Sequence, residues 1–428
     1  MGGPGIRRAR GPAARHGRPL AVAALGVCAA VLLGSCGFAS DPAGPPTGES
    51  PVSPPPSASV PEGSTNSPAQ PAEPADQGAD EGPATIGGVR ADGAIDGFDR
   101  PWDLRFLPDG TPLVTERPGV LSVVVDGRRE VVARVPDVVA AGEGGLMGLA
   151  LDPGFATSRR IYLCYAAGSG GVVQDVRVVR YRLAEGLDAI TRPTPIVTGI
   201  PAGAGNRHLG CRVEVGPDGM LWITTGDAVQ PTAPQDPRSR AGKVLRATLD
   251  GRPAPDNPGG NWDPYVFSLG HRNIQGLSFR ARDGAAVTVE HGTNCDDEIN
   301  RIVSGGNYGW DPVGEGGRYA EGAPMTDPDI PGALPAIWSS GCPTIAPAGA
   351  EFITGAQWRQ WVGALAVAVL KDQQLLLVDL EGDAVVRTSA QLAGELGRLR
   401  TVRNGPDGSL WVAVDTTPGP LVRLAPRA

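Results

Sequence analysis

The chain of 428 residues is longer than one ordinary domain of roughly 100 to 200 residues, but it suits a single large β-domain with appendages. Its 62 Gly and 43 Pro against 5% aromatic residues favour turns over long helices and exclude an all-helical bundle. Residues 1–35 hold five Arg and no acid, leaving 33 basic against 46 acidic residues beyond them, a net charge of about −13 that gives no electrostatic footprint for nucleic acid.

Arg7, Arg8, Arg10, Arg15 and Arg18 precede an uncharged stretch from Leu20 to Gly34. At 15 residues it is shorter than the roughly 20 that a membrane-spanning helix needs, so residues 1–35 read as a secretory signal. The stretch ends in Leu33-Gly34-Ser35-Cys36, which resembles a bacterial lipobox. Cys36 is then expected to be acylated and to anchor the chain to the cell membrane on its extracytoplasmic face. From Asp41 to Ala84 there are 12 Pro, no Lys or Arg and no aromatic residue. Such a segment cannot bury enough apolar surface to offset its ordering entropy, so residues 36–85 form a disordered Pro-rich tether. The folded domain is expected over residues 86–428.

Beyond Cys28 and Cys36 four cysteines remain, Cys164, Cys211, Cys295 and Cys342, which allow three pairings. An exported chain meets oxidising conditions. Cys295 and Cys342 both sit in turn-rich loops and are the favoured pair; Cys164 and Cys211 are either a second pair or buried thiols.

Strand-like runs bounded by Gly, Pro or Asp recur at Leu113–Glu116, Arg160–Tyr165, Val176–Arg182, Leu221–Thr225, Val287–Glu290, Leu375–Leu380 and Leu410–Val414, and helical periodicity is nearly absent. A phrase repeats: Pro108-Asp109-Gly110 before Leu113, Pro217-Asp218-Gly219 before Leu221, and Pro406-Asp407-Gly408 before Leu410. Weaker echoes stand at Arg282-Asp283-Gly284, Asp152-Pro153 and Lys371-Asp372. Six units of about 57 residues, each a turn followed by a buried strand, predict an all-β, six-bladed β-propeller.

Three histidines lie beyond the signal segment, His208, His271 and His291, all beside Gly-rich turns. His208 precedes one predicted strand and Asp227 follows the next, so adjacent strands could pair imidazole with carboxylate, as a general base requires; a buried structural histidine is the bland alternative. Lys243 and Lys371 are the only lysines against 36 Arg, which raises the question of why lysine was kept there. The loop His291-Gly292-Thr293-Asn294-Cys295-Asp296-Asp297-Glu298 is rich in hard oxygen donors and reads either as a Ca²⁺ site or as a solvated acidic turn.

Over about residues 98 to 425 the chain resembles the soluble PQQ-dependent glucose/sorbosone dehydrogenases, including bacterial aldose sugar dehydrogenases. The resemblance rests on Pro101-Trp102-Asp103-Leu104, Gly142-Glu143-Gly144-Gly145-Leu146-Met147-Gly148-Leu149-Ala150, the His208 segment, Gly270-His271-Arg272-Asn273, Asp297-Glu298-Ile299-Asn300 and Gly306-Asn307-Tyr308-Gly309-Trp310. It implies a propeller that binds pyrroloquinoline quinone and Ca²⁺ and oxidises an aldose at C1. It further implies that His208 is the base, oriented by Asp227, that Arg272 polarises the quinone, and that Asn273, Lys371, Arg398 and Arg400 hold the cofactor. Gly292 and Thr293 would serve one Ca²⁺, and Glu298 and Tyr308 a second.

Three residues depart from the family pattern: Glu143, Arg207 and Thr293, in place of Gln, Asp and Pro. Glu143 and Arg207, both expected at the cofactor, would compensate each other if they paired. The electron acceptor is not identified. The competing expectation is a non-catalytic propeller that binds an envelope saccharide or a partner protein.

Overall fold

The computed structural model describes residues 1–2 and 87–427. The expected signal segment, Cys36 and the tether therefore fall, apart from the first two residues, outside the described residues. Among the described residues, twenty-four strands make six four-stranded antiparallel sheets. After β1 (Gly88–Phe98), the first blade is β2 (Pro101–Phe106), β3 (Pro112–Glu116), β4 (Val120–Val125) and β5 (Arg128–Arg134). The second is β6 (Leu146–Leu151), β7 (Arg160–Ser169), β8 (Val172–Leu183) and β9 (Ile190–Ile200), with a one-turn helix α1 (Phe155–Ser158) before β7. The third is β10 (Val213–Val215), β11 (Leu221–Thr224), β12 (Lys243–Ala247) and β13 (Val266–Leu269). The fourth is β14 (Ile274–Phe279), β15 (Ala286–Glu290), β16 (Glu298–Arg301) and β17 (Trp338–Ser339). The fifth is β18 (Pro347–Phe352), β19 (Leu365–Val369), β20 (Gln374–Glu381) and β21 (Ala384–Gln391). The sixth joins β22 (Leu399–Asn404), β23 (Leu410–Val414) and β24 (Gly419–Arg427) to β1, which pairs with β24 from Gly88↔Arg427 to Phe98↔Gly419. The predicted six-bladed propeller is the fold observed.

The repeated Pro-Asp-Gly phrase is the turn between the first and second strands of a blade. Asp109, Asp218 and Asp407 each accept from the backbone N–H two residues on, while the following glycines take φ of +87°, +74° and +76°. Arg282-Asp283-Gly284 and Asp152-Pro153 stand at the same place in the fourth and second blades. Lys371-Asp372 does not: it turns from β19 to β20, one hairpin further on, because the fifth blade uses residues 353–364 at the equivalent corner.

Each of six apolar clusters lies between two blades, so the core is divided into six face-to-face interfaces. Leu113, Leu121, Leu163 and Tyr181 join the first to the second, and Tyr162, Val178, Ile223 and Leu245 join the second to the third. Phe98, Leu104, Val114 and Leu421 join the sixth to the first. Burying side chains of this size contributes about 1.5 to 3 kcal/mol apiece. The disulfide Cys164–Cys211 crosses the second interface with a Cα–Cα distance of 5.7 Å, and Cys295–Cys342 ties the β15–β16 loop to the segment after β17 at 4.4 Å. The favoured pair therefore forms, and the open question over Cys164 and Cys211 resolves as a bridge.

The axis itself is charged. Asp103 on β2 forms an ion pair with Arg212 at 2.7 Å and accepts from Arg403 on β22 at 2.8 Å. Arg403 also reaches Glu214 on β10 at 2.8 Å and Glu351 on β18 at 3.0 Å, and Arg105 pairs with Glu214. Backbone groups of Leu149 on β6 and Gln275 on β14 complete the ring of partners. All six inner strands thus meet in one network. Burial alone would raise the Asp103 carboxyl, but Arg212, Arg403 and Arg105 outweigh it and hold the group well below the usual carboxylate range. Its contribution to stability is therefore complete above about pH 4 and is lost only in stronger acid. Asp103→Asn leaves the buried Arg212 guanidinium without its carboxylate, while Arg403 keeps Glu214 and Glu351, and should cost about 3 to 5 kcal/mol, measured as a lower denaturant midpoint at pH 7.

Candidate functional site

Gly226, Asp227, Val229, Trp310 and Tyr319 interlock to present His208. The 208–210 loop leads into β10, and Thr225-Gly226-Asp227 follows β11. His208 has φ +54°. A Cβ on Gly226 would stand 2.0 Å from the His208 carbonyl oxygen, so only glycine lets the two segments lie this close. The result is a buried pair in which His208 Nδ1 lies 2.9 Å from Asp227 Oδ1. The carboxylate accepts from Nδ1–H, so Nε2 keeps the lone pair. Asp227 is itself fixed by three further donors: Val229 N at 2.8 Å, Trp310 Nε1 at 2.7 Å and the Tyr319 hydroxyl at 2.6 Å. Burial and the Asp227 charge push the Tyr319 phenol up, so it stays a donor. Trp310 belongs to a phrase already conspicuous in the sequence; Tyr319 lies in the connection over residues 302–337, where no pattern marks it.

Beside this pair opens a cavity of about 410 Å³, lined by Trp102, Glu143, His291 and Asp415 and by Arg100, Arg117, Arg398 and Arg400. Asp415 pairs with Arg400 at 3.0 Å; burial would raise its carboxyl, but Arg400, Arg398 and Arg100 outweigh burial and lower it. Burial, with repulsion from Arg100 and Arg400, lowers the Arg117 guanidinium. The cavity thus holds more cations than its two acids neutralise. Burial, with Arg400, Arg272 and His208 nearby, holds His291 down to about 3, so its imidazole is neutral. Arg400 Nε and His291 Nε2 are buried without partners, as is Arg272 Nε. A ligand with several anionic groups would satisfy such a lining.

The remaining sequence-derived residues divide. Arg272 is buried, donates to the His291 carbonyl at 3.2 Å and to Glu321 at 3.2 Å, and lies 5.6 Å from the Trp310 ring. Asn273 is committed to protein, donating to Glu143 at 3.1 Å and accepting from Gly210 N at 3.2 Å. Glu143 and Arg207 do not pair. Glu143 accepts from His208 N at 3.1 Å, whereas exposed Arg207 reaches Glu321 at 3.0 Å, so two departures from the family pattern have separate partners. Lys371 is exposed, next to the lining residue Leu370, and donates to Thr344 at 3.2 Å. Gly292 N donates to Asp297 at 2.8 Å, and a Cβ there would meet the carbonyl oxygens of Cys295 and Asp296 within 2.5 Å, so the loop curls tightly around it. Burial, then the Glu290 charge, pushes Glu298 up to about 8, and Asn300 Oδ1 beside it has no partner. The Tyr308 hydroxyl donates to Arg301 O and accepts from Val303 N, while the residue's carbonyl oxygen accepts from Thr326 Oγ1 at 3.3 Å and keeps a second lone pair. Among the described residues no three His, Cys, Asp or Glu side chains converge for a metal, so a cation here would depend mostly on carbonyl and amide oxygens, with Glu298 as a single carboxylate beside them.

Lys243 answers why a lysine was kept. Fully buried, its Nζ donates to the carbonyls of Ala233, Pro234 and Ala241 at 2.6, 2.9 and 2.7 Å. Three rotatable donors on a point charge fit this cradle, and a planar guanidinium does not. The loop so held carries Gln235, which bonds Asn307 and the Trp310 carbonyl.

A propeller with a cation-lined axial cavity beside a histidine–aspartate pair defines a class, and the chain belongs to the glucose/sorbosone dehydrogenase family, whose model matches residues 98–423. The aldose sugar dehydrogenase YliI of Escherichia coli is 32% identical over 344 residues, 78% of this chain and 91% of that protein. The PQQ-bound aldose sugar dehydrogenase of Streptomyces coelicolor is 31% identical and superposes with a TM-score of 0.69 over 81% of this chain and all of that one. The apo form of the soluble E. coli aldose sugar dehydrogenase gives 0.72 at 32% identity, over 79% of this chain and all of that one.

Gly226→Ala should leave the fold intact by circular dichroism yet displace His208. A shift of about 1 Å at a catalytic group costs about 10²-fold, read as a fall in kcat of any His208-dependent reaction.

Proposed function

We propose that the chain is a PQQ- and Ca²⁺-dependent aldose dehydrogenase held at the cell membrane by a lipid on Cys36. The observation that carries the reading is the buried His208–Asp227 pair beside a cavity with unneutralised arginines. Arg398 and Arg400, with Lys371 on the rim, are the cations that would face the three carboxylates of the cofactor. Gly292 and Thr293 would offer carbonyl oxygens to the Ca²⁺ beside it, and Glu298 with the Tyr308 carbonyl would hold a structural one. When bound, the quinone supplies the hydride acceptor for oxidation at C1.

The protein's part is proton handling and electrostatics. His208 Nε2 takes the proton of the anomeric hydroxyl, and Asp227, fixed by Trp310 and Tyr319, stabilises the imidazolium that forms. Arg272, held by the His291 carbonyl, would stabilise the negative charge that develops on the cofactor, and the neutral His291 imidazole beside it would add no competing charge.

Full-length apo-protein titrated with PQQ and Ca²⁺ should acquire a quinone absorption band that bleaches on adding an aldose. His208→Ala should still take up the cofactor but bleach about 10² to 10⁴ times more slowly, read by stopped flow. Failure of the wild type to take up the cofactor would favour a binding propeller instead. Cys36→Ala should appear in the soluble fraction, or as unprocessed precursor, after membrane fractionation; a variant that is processed and sediments like wild type would count against the anchor.

A further inference from the structure

The second blade carries a different cluster of cations on its three outer strands, with no residue in common with the lining of the axial cavity. A groove of about 280 Å³ is lined by Arg160 on β7, Arg180 and Arg182 on β8, and Arg192 and Thr194 on β9, with Thr157 and Ser158 of α1 at its end. In the ladder Arg160 stands directly opposite Arg182, and Arg180 opposite Thr194. Like charges in directly opposed positions destabilise a sheet. Four arginines gathered this way, in a chain whose net charge is −8, are a local reversal of its balance.

The acids do not account for it. Asp250 pairs with Arg180 at 2.6 Å. Asp152, nearby, is occupied by Ser158, by the Tyr162 hydroxyl at 3.1 Å and by Gly154 N. Among the described residues no carboxylate pairs with the guanidiniums of Arg160, Arg182 or Arg192. Three planar forks from three adjacent strands are therefore left facing one groove, with hydroxyl groups at its margin.

We infer that this groove binds a phosphate group, free or within an anionic lipid headgroup. Guanidinium forks recognise phosphate oxygens through paired charge-assisted hydrogen bonds, and a tetrahedral anion can engage several forks at once. A carboxylate, planar and with two oxygens, would leave part of the cluster unsatisfied. The inference is independent of the oxidoreductase reading.

Full-length protein should bind inorganic phosphate saturably in calorimetric titration at constant ionic strength. Arg182→Gln should weaken binding about tenfold, the loss of a charge-assisted contact, and Arg160→Gln/Arg182→Gln should abolish it without changing circular dichroism or sugar oxidation. A parallel arm measures co-sedimentation with phosphatidylcholine vesicles with and without phosphatidylglycerol, comparing wild type with the double variant so that any lipid anchor cancels. A phosphatidylglycerol-dependent increment lost in the variant identifies the headgroup as the source, whereas phosphate binding without that increment identifies a free phosphate ligand. Binding that survives the double substitution but is displaced by PQQ would put the anion in the axial cavity and overturn the inference. Absence of both phosphate binding and the vesicle increment would overturn it as well.

Discussion

The Asp103 carboxylate is the point on which the architecture turns. Six blades that shared only apolar faces could slide or change number, since one blade interface resembles another. A single anion gripped by Arg212 and Arg403, whose other contacts reach Glu214, Glu351 and the Gln275 carbonyl, makes each inner strand answerable to the same centre. Desolvating these charges is expensive, and only near-complete mutual satisfaction offsets it. The same network is the floor of the functional cavity: Arg212 lies 4.2 Å from the ring of Trp102, whose side chain lines that cavity.

Above the floor, rigidity is built by giving each key group too many partners to move. Asp227 accepts from an imidazole, a backbone amide, an indole and a phenol, and two of those donors come from the connection over residues 302–337. That connection is held in turn by Gln235 on the loop that Lys243 anchors. The long connection is thus a working part of the site, and its irregular backbone is what lets it bring Trp310 and Tyr319 to one carboxylate.

What could be read from the sequence follows from which groups have local causes. The run Leu410–Val414 coincides with β23 because a Pro-Asp-Gly turn precedes it and its apolar residues are unbroken. The outer strands escaped notice: β21 reads Ala-Val-Val-Arg-Thr-Ser-Ala-Gln and is largely exposed, so no alternation betrays it. His208 and Asp227 could be paired because short strands separate them. Glu321 could not be placed against Arg207 and Arg272, since the contact depends on the path of a long connection with no periodicity. Arg100 and Arg117 were equally silent, because a cavity lining is a property of six blade ends taken together. The Lys371-Asp372 echo misled because short Asp-containing turns occur at more than one hairpin of a blade.

The ring is closed by its first strand. β1 precedes its partner β24 by nearly the whole length of the domain, with Gly88 opposite Arg427. A chain emerging from its amino end must therefore hold that strand unpaired until synthesis is complete, and contacts of such sequence separation form slowly. Both ends of the domain also lie side by side on one blade, so the covalent order of the blades is arbitrary. Joining residue 427 to residue 87 and opening another hairpin would give the same ring from a circularly permuted gene.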